Sequence, residues 1–139
     1  MNTYYFNDPD FMKSDLYKDF IKENPSTGFL RIRAYSANEA LPVEGIKIRI
    51  KTDYKENTIV FFEGVTNESG LIDRIKLPAP KSILDNLTIP NNQVYDVEAT
   101  YEKENLSNSY KINMYEDICV VQNINVTPKT LEAGVFVWQ

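Results

Sequence analysis

The side chains able to do chemistry in this chain are carboxylates, lysines and one thiol. None of the 139 residues is a histidine. That excludes a Ser-His-Asp relay, a Cys-His pair and a His-ligated zinc site, each of which needs an imidazole as base or ligand. Cys119 is the single cysteine, so no internal disulfide or multi-cysteine metal site can form. It opens the strand-like run Cys119-Val-Val-Gln and is expected to be a buried or half-buried thiol. Asp73, Glu98, Glu102, Glu104, Glu116 and Asp117 could supply the paired carboxylates of a glycoside hydrolase, although a small β-domain offers little cleft for one. Asn113, Glu116 and Asp117 could hold calcium in a loop. No stretch reads Asp-x-Asp-x-Asp-Gly, and a solvated turn is the plainer reading. Five glycines could hardly supply a phosphate-cradling loop. The expectation is therefore no catalytic residue, no metal and no cofactor.

Charge narrows the partners. The net charge is −5 and the pI about 4.8, whereas a nucleic-acid binder is usually basic or carries a dense basic stripe. Arg31 and Arg33, and separately Lys47, Arg49 and Lys51, could form local basic patches, but each reads more simply as the solvated face of a strand. No nucleic-acid or membrane partner is expected. The N-terminus lacks a cationic region followed by an apolar run, and no segment approaches transmembrane length. The chain is read as synthesised in the cytoplasm without a signal peptide, with later assembly into an extracellular, spore or phage-like structure left open.

The elements that position these residues follow from hydrophobic period. Leu30, Ile32 and Ala34 alternate with Arg31, Arg33 and Tyr35; Ile46, Ile48 and Ile50 alternate with Lys47, Arg49 and Lys51. A period of two marks half-buried strands. Strands are expected near 28–37, 45–52, 58–65, 71–77, 94–103, 109–115 and 119–127. The run at 58–65 is apolar on both faces and needs an outer cover. Asp8-Pro9 reads as a helix start, with apolar residues at helical spacing to about residue 23 and a stop at Asn24-Pro25. This helix is the candidate for that cover. Seven short strands separated by turn signals indicate an antiparallel β-sandwich. Val135, Phe136, Val137 and Trp138 form a further strand-prone run at the C-terminus.

The runs Gly28-Phe-Leu-Arg-Ile, Leu41-Pro-Val-Glu-Gly-Ile-Lys-Ile, Phe62-Glu-Gly-Val-Thr-Asn-Glu-Ser-Gly-Leu-Ile and Leu77-Pro resemble those of carboxypeptidase regulatory-like domains. These are transthyretin-like (prealbumin-like) seven-stranded sandwiches. The resemblance covers roughly 28–128 and is similar to stand-alone or envelope- and spore-associated versions in clostridial and related Gram-positive bacteria. It implies an all-β, seven-stranded antiparallel transthyretin-like β-sandwich with an added N-terminal amphipathic helix. The organisation would be an arm and helix over 1–27, the sandwich over 28–128 and a strand-prone tail over 129–139. Pro42, Gly45, Thr66 and Gly70 would be structural turn residues. Collagen-adhesin-type relatives can form a Lys–Asn isopeptide bond. Here the first strand offers no lysine, and only Lys47 or Lys51 with Asn123 or Asn125 could substitute.

With no catalytic constellation, the expectation is a non-catalytic structural or assembly subunit, not an enzyme. Tyr4, Tyr5, Phe6 and the run from Val135 to Trp138 would pair with another copy or with other structural proteins. The alternative is a glycan- or peptidoglycan-binding accessory module using Tyr35, Tyr54, Phe62, Tyr115 or Trp138 to stack on sugars.

Overall fold

The structure, a computed structural model, describes residues 2–36, 41–82, 92–126, 128–130 and 136–138, without the side chains of 104, 128–130 and 136–138. The chain begins with strand β1 (Thr3–Tyr5), a 3-10 turn (Phe11–Lys13) and helix α1 (Asp15–Glu23). Strands β2 (Ser26–Ser36), β3 (Leu41–Pro42), β4 (Lys47–Tyr54), β5 (Asn57–Val65), β6 (Leu71–Ala79), β7 (Gln93–Tyr101), β8 (Leu106–Met114) and β9 (Cys119–Asn125) follow. A short hairpin, β10 (Pro128–Thr130) with β11 (Phe136–Trp138), stands apart from both main sheets.

Alternation works as the period requires. In β4, Ile48 and Ile50 are buried between the half-exposed or exposed Lys47, Arg49 and Lys51. In β2, Leu30, Ile32 and Ala34 are buried between Phe29, Arg31, Arg33 and Tyr35. One sheet has the order β1-β5-β4-β7-β8; the other has β2 at its centre, flanked by β3, β6 and β9. Their inner faces meet in a core that includes Leu30, Ile32, Ile48, Ile50, Val97 and Ile124. Tyr95, fully buried, donates its hydroxyl to the carbonyl of Pro78 at 2.6 Å and so ties one sheet to the other.

The two main sheets form a β-sandwich, but among the described residues they hold nine strands rather than the expected seven, and both are mixed rather than antiparallel. The extra strands are β1, which lies parallel to β5, and the two-residue β3, which is antiparallel to the end of β2. The second parallel pair, β2 with β9, joins segments about ninety residues apart. The helix also differs. It starts at Asp15 rather than near residue 9, because the Ser14 side chain accepts from the Tyr17 amide as N-cap. Asp8 instead accepts from the Asp10 amide in a turn. Nor does α1 lie over the outer face of β5. A bulge between Ile50 and Lys51 of β4 shifts the register of β5, and Phe61 turns into the interior against Tyr95. Phe20 of α1 packs on Phe61 at 5.3 Å and on Tyr54 at 5.1 Å. The helix thus closes the open edge of the sandwich on the β5 and β6 side, where it borders a crevice with Leu77 and Pro78.

Candidate functional site

The two outer sheet faces differ in charge. The five-stranded sheet carries Lys47, Arg49, Lys51 and Lys111 against Asp53, Glu63, Asp96 and Glu98. Those charges are matched by ion pairs: Lys111 with Asp96 at 2.8 Å, Lys51 with Glu98 at 3.5 Å, and Arg49 with both Glu63 and Glu98 at 3.8 and 3.9 Å. The four strands of the other sheet carry Arg31, Arg33, Arg74 and Lys76 and a single carboxylate, Asp73. An excess of cations on one face of a chain of net charge −5 focuses positive potential where the rest of the molecule is negative.

Register assembles that face. Arg31 and Arg33 point outward from β2 because Leu30, Ile32 and Ala34 point inward. On β9, Val121 lies beside Arg31 and Asn123 beside Arg33. On β6, Lys76 lies beside Phe29. Between Leu30 and Ile32 the pairing slips, so that Asp73 and Arg74 together oppose Arg31. This is a β-bulge, and it places Arg74 at φ +58°, a left-handed conformation that costs a non-glycine residue free energy. The bulge aims the Arg74 guanidinium over the Phe29 ring at 4.5 Å, and Arg33 lies over Tyr35 at 5.0 Å. Arg31 sits 3.5 Å from Asp73, yet its Nε is shielded from solvent and makes no hydrogen bond among the described residues. Arg74 and Lys76 have no carboxylate partner among the described residues. Two cations without a carboxylate partner among the described residues, beside a partly exposed guanidinium, make a receptor for carboxylate or phosphate oxygens.

The residues singled out from the sequence do not gather into one site. Tyr4 stacks on Phe11 at 5.1 Å and Phe6 on Phe61 at 4.7 Å, while Tyr5 remains 48% exposed. Phe136, Val137 and Trp138 pair with Trp138's own hairpin partner strand, β10, and Val135 lies outside the described residues. Gly45 and Gly70 have φ of +92° and +72°. The buried Thr66 hydroxyl accepts from the Ile46 amide and donates to the Val43 carbonyl, and Pro42 pairs with Tyr35. These four hold loops. Cys119 is exposed rather than buried, because it opens the edge strand β9 on its outer side next to Phe29.

Glu116 accepts from the Ser26 hydroxyl and the Ser82 amide, which holds its carboxyl below the usual range, with Lys81 adding attraction. That carboxylate is committed to a loop. Glu98 and Glu102 are engaged with lysines, and Asp73 lies on the opposite sheet. Lys47 and Lys51 face out from one sheet and Asn123 and Asn125 from the other, so no isopeptide pair can meet. Of the aromatic residues proposed for sugar stacking, Tyr35 lies under Arg33 and Tyr54 bonds Glu23. The sequence had marked Arg31 and Arg33 as a basic patch. It carried no sign of Arg74 and Lys76 joining them, since the bulge arises from sheet register.

No protein-family model matches the chain, and no curated protein matches it significantly. Among solved structures, 5-hydroxyisourate hydrolase of Klebsiella pneumoniae is similar at 15% identity and a TM-score of 0.44, over 70% of this chain and 90% of that one. (S)-allantoin synthase is similar at 14% identity and a TM-score of 0.45, over 74% of this chain but only 42% of that one. Both are transthyretin-like. Both are also enzymes by name, and the expectation of a non-catalytic structural or assembly subunit, not an enzyme, is withdrawn. The sandwich architecture gives no ground for excluding an enzyme. At these identities the likeness concerns the fold and assigns no substrate.

Proposed function

We propose that the chain recognises an anionic ligand through the outer face of its four-stranded sheet. The observation that supports this reading is the charge content of these strands: four cations and one carboxylate, Asp73, which pairs with Arg31, and Arg74 held in a left-handed conformation over Phe29. A strained arginine in a strand destabilises the fold and is retained where its placement serves a site. Successive outward residues of a strand are about 7 Å apart, so Arg31 and Arg33 suit an organic anion with two carboxylate or phosphate groups at that spacing. Arg74 and Lys76 supply the second side of the same receptor.

The test is calorimetric titration of the intact chain with citrate and with inorganic pyrophosphate, repeated on Arg31→Glu and Arg74→Glu. Saturable binding that each reversal abolishes is expected. Equal affinity in the parent and both variants would sink the reading.

A further inference from the structure

A groove of about 630 Å³ lies on the opposite side of the molecule, on the outer face of the five-stranded sheet. Its floor is set by register. Glu63, Arg49, Glu98 and Ser109 form one row across β5, β4, β7 and β8; Val65, Lys47, Thr100 and Ser107 form the next. From β4 to β8 side-chain length falls in each row, through Arg49, Glu98 and Ser109 in one and Lys47, Thr100 and Ser107 in the other. The surface therefore drops toward β8 and leaves a hollow bounded on one side by charge and on the other by hydroxyls. Its size lies in the range of small-molecule sites.

The charges of the hollow alternate. Arg49 stands between Glu63 and Glu98, and Lys47 is next to it. The Arg49 pairs are long, at 3.8 and 3.9 Å, and partly exposed, and such pairs are weak. The Arg49 Nε, 3.8 Å from Glu63, is shielded from solvent, so contact with a ligand falls to the terminal nitrogens of its partly exposed guanidinium. A ligand that offers both an acceptor and a donor can take the place of the long Arg49 pairs, while Lys47 stays paired with Glu102 and Glu98 with Lys51. A purely anionic ligand would meet Glu63 and Glu98, and a purely cationic one would meet Lys47 and Arg49. The anion-recognising face lies on the other sheet, where four cations stand with the single carboxylate Asp73.

We infer that this groove binds a small zwitterion, an amino acid or dipeptide. Its carboxylate would accept from Arg49 and Lys47. Its ammonium would donate to Glu63 and Glu98, and the hydroxyls of Thr100 and Ser109 would complete the contacts.

Calorimetry of the intact chain with the free amino acids and with glycylglycine tests this, alongside the N-acetylated and C-amidated forms of whichever probe binds best. Saturable binding is expected. Acetylation and amidation should each weaken it by roughly tenfold or more, as should Arg49→Ala and Glu98→Gln. Ser109→Trp should block the groove while leaving the thermal unfolding midpoint near that of the parent. Arg31→Glu should leave zwitterion binding unchanged, which separates this site from the anion-recognising face. No saturable binding by any of these probes would overturn the proposal. So would binding that survives both Arg49→Ala and Ser109→Trp, or binding that either blocked form of the probe retains in full.

Discussion

At the scale of single residues, a few positions are fixed by backbone or hydrogen-bond demands. Gly70 adopts φ +72°, and a Cβ there would lie 2.3 Å from the Ala34 carbonyl oxygen, which itself belongs to the central strand of the sheet. Neither the conformation nor the contact admits a side chain. Gly70→Ala should therefore destabilise the fold by about 2–3 kcal/mol in chemical denaturation; a loss near zero would mean that the loop can shift freely. Glu116 is informative through pH. Its folded carboxyl is held below the usual carboxylate range by the Ser26 hydroxyl, then the Ser82 amide. A depressed carboxyl contributes stability above its unfolded pKa and loses it as pH falls through the lower folded value. The thermal midpoint of the parent should thus fall more steeply than that of Glu116→Gln on acidification below about pH 4.5. Parallel curves for the two proteins would show that this clip carries no linkage.

At the scale of elements, α1 is the addition that most affects stability. Its single fully buried residue, Phe20, touches Phe6, Phe61 and Tyr54, and these rings link the segment just after β1, the end of β4, β5 and the helix in one aromatic cluster. Aromatic truncation in a closed core removes transfer free energy and leaves a cavity. Phe20→Ala should cost about 3–5 kcal/mol in denaturant unfolding. It should also raise the amide exchange of β1 and α1 before that of β4 and β7, since the central strands keep their own partners. Uniform exchange across all strands would show that the helix is inseparable from the sandwich core. The bulge in β6 acts at the same scale: it converts a strand residue, Arg74, into a side chain aimed along the sheet face.

At the scale of the whole molecule, the asymmetry of charge between the two faces should govern recognition. A chain of net charge −5 repels anions at long range, so attraction depends on the local excess around Arg31, Arg33, Arg74 and Lys76. Shielding of exposed charges sets in over about 10 Å at 0.1 M salt. Anion affinity should therefore drop when salt is raised from about 0.05 to 0.5 M, while zwitterion binding at the opposite groove should change far less. Titration of both probes across that series checks the contrast; equal salt sensitivity at the two faces would contradict it.

The sequence alone determined the strands of the sandwich, because an apolar residue at every second position leaves a strand only one way to face its core. Leu30, Ile32 and Ala34 in β2 and Ile48 and Ile50 in β4 are clear examples. It determined the absence of imidazole chemistry, and it placed Arg31 and Arg33 on one face. It did not determine the partners of those strands. The parallel pairs β1 with β5 and β2 with β9, the N-cap at Ser14, and the bulge that brings Arg74 and Lys76 beside Arg31 depend on register between distant segments, and local periodicity carries no information about register. The same holds for the groove, whose hollow exists only where the long side chains of β4 face, across β7, the short ones of β8. Tertiary structure alone decided which charges stand opposed and which stand alone, since charges balance across neighbouring strands rather than along the chain.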